Sequence, residues 1–131
     1  MRRILFLLMI GIFACVSCGD DLDGDWDPMK WRVPKGMKKN TLEVPVIGGI
    51  YTLECKNYKG FWLSDIYEND QLVGSPSDLK LKEGQWSVVK VEKNMMIVSI
   101  APNMTDSART LVVHPTAGDI FDTFAFKQAA P

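Results

Sequence analysis

Apolar and polar residues alternate one for one along most of this chain, the period of a half-buried β-strand. In "TLEVPV" the inward set is Leu42, Val44 and Val46. In "IYTLECKN" it is Tyr51, Leu53 and Cys55, against Thr52, Glu54 and Lys56. "FWLSDIYE" is a third run, closed by "NDQ". "WSVVKVE" and "MMIVSIA" are separated only by "KN", the length of a tight hairpin. "RTLVVH" and "DIFDTFAFKQ" are separated by "PTAG", which reads as a turn carrying proline and glycine. Between the third run and Trp86, "SPSDLKLKEGQ" predicts a loop with a short strand at residues 79–82. The "IGG" before Ile50 predicts a hairpin turn in which Gly48 and Gly49 take positive φ.

No stretch after residue 41 carries a helical period. Seven or so short strands with frequent turns in about 90 residues predict an all-β domain over residues 41–131. Its layout is that of an immunoglobulin-like antiparallel β-sandwich of about seven strands, without the inter-sheet disulfide of antibody domains.

The first 17 residues follow a different logic. Arg2 and Arg3 precede "ILFLLMIGIF", ten apolar residues without a charge, and then the small residues Ala14 and Ser17 just ahead of Cys15 and Cys18. A basic start, an apolar run and a small-residue cleavage region make a secretory signal over residues 1–17. The run is shorter than the ~20 residues that span a bilayer. A redox C-x-x-C belongs between a strand and a helix of a folded domain, not in a segment that is removed. A four-ligand zinc site needs more partners than Cys55 and His114 supply. The segment resembles the lipobox of bacterial lipoproteins, in which a cysteine is acylated after cleavage just before it. "CGDD" resembles the acidic stretch that directs lipoproteins of Bacteroidetes to the outer cell surface, which favours Cys18 over Cys15 as the lipidated residue. Several acyl chains at ~0.8 kcal/mol per buried CH₂ imply a lasting attachment to the outer membrane, facing the exterior.

Cleavage leaves 114 of the 131 residues and removes two of 15 basic residues, so 13 face 16 acidic ones and the formal charge is −3. With no basic run beyond Lys38 and Lys39, nucleic acid is not an expected partner. Residues 18–40 read as the acylated N-terminus and an acidic tether. Asp21, Asp23 and Asp25 open like a calcium loop, but Trp26 and Arg32 stand where that loop needs glycine and glutamate. Cys55 reads as a buried, inert thiol. His114 reads as a turn residue ending a strand, and Asp65, Glu68 and Asp70 as a charged turn in place of a glycosidase pair. No nucleophile–base constellation, phosphate loop or metal cluster is evident, so neither catalysis nor a cofactor is expected.

"VIGGIYTLECKNYKGFW", "NMMIVSIAPNMTDSARTLVV" and "DTFAFKQAA" together resemble the BACON-domain family over residues 40–130. Gly48, Gly49, Trp62, Asn103, Arg109 and Gln128 fall on the family's marked positions; the segment around "SDIYENDQLVGSPSDLKLKEGQ" departs from it. The resemblance implies a β-sandwich in a surface or secreted protein, with carbohydrate binding or spacing as its role. Physically these positions read as structural, with Asn103 bonding its own turn, Arg109 meeting carbonyls and Trp62 filling the space between the sheets.

Two roles follow. A glycan-binding or accessory module would stack sugars on aromatic faces, with Trp26, Trp31, Tyr58, Phe61, Tyr67 and Trp86 as the candidates. Trp26 and Trp31 have the alternative of docking the tether on the sandwich, with the first strand near Met29. A spacer or assembly subunit would instead meet another cell-surface protein through a sheet face or edge. Finally, "DSA" at residues 106–108 resembles the short O-glycosylation pattern of exported Bacteroidetes proteins, with Ser107 as acceptor in a turn.

Overall fold

A computed structural model describes residues 27–131. In chain order its strands are β1 (Trp31–Arg32), β2 (Thr41–Val44), β3 (Gly49–Cys55), β4 (Trp62–Glu68), β5 (Gln71–Val73), β6 (Leu81–Glu83), β7 (Ser87–Glu92), β8 (Met95–Ile100), β9 (Arg109–Ala117), β10 (Ile120–Phe121) and β11 (Phe124–Gln128). Two sheets form, ordered β2–β11–β9–β4–β5 and β1–β3–β8–β7–β6, with β10 hairpinned on β9. The second sheet thus carries the A-B-E-D order and the first the C-F-G set of an immunoglobulin-like sandwich. Every strand pair is antiparallel except β2 with β11, which run parallel.

The period-2 pattern does the sorting. Leu53 and Cys55 of β3, Met96 and Val98 of β8, and Leu111 and Val113 of β9 are all buried. They face one another across the two layers, while the residues between them point outward. Cys55 is free and buried, as the alternation predicts. The "KN" link closes β7 on β8 with Glu92 opposite Met95, and Lys93 takes φ 56°. "ND" closes β4 on β5, with Asn69 and Asp70 both at positive φ, as a two-residue I′ turn requires.

Packing extends ahead of Thr41. Met29 is buried, and Trp31 stands opposite Cys55 where β1 joins β3. Among the described residues no helix is long and apolar enough to cross a membrane.

Three expectations change. "IGG" is not a hairpin, because β2 and β3 belong to different sheets. Only Gly48 has positive φ, +79°, and a Cβ there would meet Ile100 O at 2.1 Å; Gly49 does not share the conformation. β9 does not stop at His114. It runs on through Pro115 to Ala117, and the turn falls at Gly118 (φ +67°) and Asp119. Proline is tolerated because the ladder is already broken there. His114 opposes Asp65 while Pro115 opposes Leu63, so Ser64 is the extra residue of a bulge in β4. Trp62, finally, is not core: it is 37% exposed. Phe61 and Leu63 point inward at this end of β4, so the residue between them must point out.

Candidate functional site

Two sets of polar and aromatic residues dominate the molecule, one saturated and one open. The saturated set lies at the end holding the turns after β2, β4, β6 and β8. Buried Arg109 donates from Nε to Gln128 Oε1 at 2.7 Å and from Nη2 to the carbonyls of Ala101 and Pro102 at 3.1 Å each. Gln128 Nε2 in turn reaches Pro45, Val46 and Ala101 oxygens at 2.9–3.2 Å. Asn103 Nδ2 donates to Ser107 O and Ala129 O, and its Oδ1 accepts from Thr105 N–H and hydroxyl. Loop carbonyls that no ladder satisfies are thereby bonded. Burial holds the Arg109 guanidinium below its ordinary pKa, and the negative Glu68 pulls it back up.

Glu68 completes this corner. Its carboxylate accepts from Gln85 N–H (2.9 Å), Trp86 N–H (3.1 Å) and the Ser87 hydroxyl (2.6 Å). A Cβ on Gly84 would lie 2.2 Å from that carboxylate, so glycine is required for the turn to close on it. Arg109 lies 4.2 Å over the Trp86 ring. One face of Trp86, a candidate platform, is therefore already occupied by a cation. Hollows of about 350 and 250 Å³ flank the ring; the second carries the amides of Asn69, Gln71 and Gln85.

The other aromatic candidates form no shared exposed platform among the described residues. Trp26 lies outside the described residues, as do Cys15 and Cys18. Trp31 docks: its indole N–H donates to Asp122 Oδ2 at 2.8 Å, and its ring meets Phe61 and Phe124 edge-on at 5.2 and 5.0 Å. Tyr58 bonds the Asp27 carbonyl. Phe61 is a correction: it is fully buried, because the last loop residue before β4 turns its ring between the sheets. Tyr67 is half-buried on the outside of β4.

Tyr67 marks the open set, on the outer face of the first sheet. Residues of β9 alternate outward at Val112, His114 and Thr116. His114 is a strand residue, not a turn residue, and its Nδ1 lies 2.5 Å from Asp65 Oδ1 of β4, both about 30% exposed. The Tyr67 ring stands edge-on to the imidazole at 5.8 Å. One row further on, Thr116 opposes Trp62 on one side and Phe121 of β10 on the other. Cross-strand partners project to the same face, so the two rings flank Thr116 from strands set two interstrand spacings, about 10 Å, apart. Thr116 itself is buried, and its hydroxyl bonds the carbonyls of Gly118 and Ile120, holding the turn that presents Phe121. Trp62 (37%) and Phe121 (64%) are the exposed members.

This face offers apolar ring area beside an imidazole–carboxylate pair, the combination that holds a polar ligand with an apolar side. The carboxylates of β4 do not act together: Asp65 points outward, Glu68 inward, and Asp70 sits in the hairpin turn. Among the described residues no three His, Cys, Asp or Glu side chains group as metal ligands. Sequence reasoning missed Trp62 and Phe121. Their signal was the alternation around Phe61 and Leu63, together with an exposed "IF" directly after a glycine turn.

No family model matches the chain, and no curated protein matches it. Among solved structures, it is similar to a protein from Bacteroides thetaiotaomicron determined by NMR. The two are 39% identical over 88% of this chain and 96% of that one, with a TM-score of 0.75. A structure of titin M4 matches 77% of this chain and 95% of that one at 14% identity, with a TM-score of 0.49. An identity of 39% across nearly the whole of both chains, on one sandwich, makes this chain a member of the same family as the Bacteroides thetaiotaomicron protein.

Proposed function

We propose that this chain is a non-catalytic, glycan-binding surface lipoprotein, a BACON-type module held to the outer membrane by acylated Cys18. The observation that carries the binding reading is the outward pair Trp62 and Phe121 across Thr116, beside Asp65–His114. Aromatic faces take the C–H side of a pyranose, and the imidazole–carboxylate pair meets hydroxyls. The site lies on an outward sheet face, which suits a chain of sugars better than a single small molecule. The lipobox-like N-terminus supports the surface location.

The test is a glycan array with residues 19–131, repeated with Trp62→Ala and Phe121→Ala. Hits that vanish in both variants support the reading; hits that persist in both remove this face from the role. Mass spectrometry of the native N-terminus tests the anchor, since an acylated Cys15 would displace Cys18. Ser107 is exposed in its turn, open to a glycan, and a native mass that Ser107→Ala lowers by no more than the one oxygen atom of the substitution would rule out that modification.

A second reading, an assembly subunit or spacer, draws on a different patch. Ile47, Ile50 and Met104 are 75%, 73% and 88% exposed. Asn103 N–H bonds Val46 O, which brings the loops bearing Ile47 and Met104 together. An apolar patch of that kind suits a protein partner.

A further inference from the structure

The end of the sandwich where the described chain begins gathers lysines that the sequence scatters. The loop after β3 brings Lys56 and Lys59, and the β7–β8 hairpin brings Lys93, around a hollow of about 510 Å³ also lined by Asn57, Tyr58 and Asn94. All three lysines are exposed. The ion pairs among the described residues are Arg32–Glu54, Lys90–Glu92 and His114–Asp65, so none of the three is neutralised by a described carboxylate. The carboxylates nearest in sequence are already committed. Glu54 binds Arg32 at 2.7 Å and Asn94 Nδ2 at 3.3 Å, and Glu92 binds Lys90 at 3.0 Å.

The hairpin itself adds a second observation. A two-residue link with positive φ favours glycine or asparagine at that position, yet Lys93 holds φ 56°. The hairpin thereby places the Lys93 charge at the rim of the hollow. The volume lies within the range of small-ligand sites. We propose that this hollow binds an oxyanion group (phosphate, sulfate or carboxylate), with the Lys56, Lys59 and Lys93 ammoniums as its donors. Three like charges around one hollow repel; a multiply charged anion among them replaces that repulsion with attraction. Each ammonium supplies three rotatable donors, so the site reads charge more than shape. This site is separate from the aromatic face and stands whether or not that face binds glycan.

The test titrates residues 19–131, which hold both sheets and the whole described core, with four probes. These are inorganic phosphate, a polygalacturonate oligosaccharide, a sulfated oligosaccharide, and phosphatidylglycerol vesicles set against phosphatidylcholine vesicles. Saturable binding is expected to at least one anionic probe, weakening about tenfold or more between low and high salt as screening sets in. Response to phosphate alone assigns a small anion, to an oligosaccharide an acidic glycan, and to phosphatidylglycerol a lipid headgroup. The variant Lys56→Gln/Lys59→Gln/Lys93→Gly should lose about tenfold or more, equivalent to ~1.4 kcal/mol, with its melting temperature unreduced because glycine suits the turn. A control removing three charges elsewhere, Lys35→Gln/Lys38→Gln/Lys127→Gln, should keep its affinity. No binding to any probe, or equal loss in variant and control, overturns the proposal.

Discussion

The corner around Arg109 and the outer face around Thr116 use the same chemical vocabulary and reach opposite ends. Each has a tryptophan, a carboxylate and a cationic or imidazole side chain. At the corner most of the bonding capacity is spent inside the molecule: Arg109 Nε and Nη2 on Gln128 and two carbonyls, Glu68 on three donors, and one Trp86 face on the guanidinium. On the outer face the carboxylate and the imidazole bond each other, and the rings of Trp62 and Phe121 remain available. Residue type alone does not separate a structural site from a binding one; how much of its bonding capacity is already consumed does.

That contrast breaks most visibly in stability. Arg109→Ala leaves Gln128 Oε1 and the Pro102 carbonyl without their donor and takes one of two donors from the Ala101 carbonyl, with Glu68 buried beside them. It should cost about 3 to 5 kcal/mol, the range for removing one partner of a buried charge network. Urea denaturation measures it, and a loss below 1 kcal/mol would mean water replaces the guanidinium freely. Phe61→Ala should match it at about 3 to 5 kcal/mol, the cost of emptying a buried aromatic site. The neighbouring Trp62→Ala, at a side chain 37% exposed, should cost less, about 1 to 2 kcal/mol, because only part of its ring leaves water. Equal losses at the two positions would return Trp62 to the core.

Gly84→Ala sharpens the same contrast at smaller scale. The added methyl must push the Glu68 carboxylate off its three donors, at about 1 to 3 kcal/mol, as overpacking does. The added methyl should leave glycan binding at the outer face unchanged. Smallest of all is an alkaline effect at Tyr51, whose phenol burial holds above its ordinary pKa of 10.0. Its contribution is whole below pH 10 and is lost as pH rises through the raised folded value. Tyr51→Phe should flatten the fall of the unfolding midpoint above pH 10, and a parallel fall in both proteins would assign it elsewhere.

Much of the sandwich was legible in the chain because period 2 is a local property. Tyr51, Leu53 and Cys55 followed it, as did the "KN" hairpin, and Asn103 and Arg109 bond the turn and the carbonyls as their chemistry required. Trp62 was misplaced for a local reason as well. The run "FWLSDIYE" holds two phases, Phe61 and Leu63 before the bulge and Ile66 and Glu68 after it. A bulge is set by the partner strand, which the run does not contain. His114 was misread because proline signals a turn, whereas here Pro115 lies in a strand already out of register with its neighbour.

By itself the sequence determined the strand content, the two-layer fold and the identity of the buried alternating residues. Each is a consequence of neighbours two apart facing the same way. Only the tertiary structure decided which outward residues meet. It set Trp62 and Phe121 on either side of Thr116, although they stand 59 positions apart in the chain. It also drew Lys56, Lys59 and Lys93 around one hollow. Strand order and register are sums of long-range contacts, and no short stretch of chain carries the partner that fixes them.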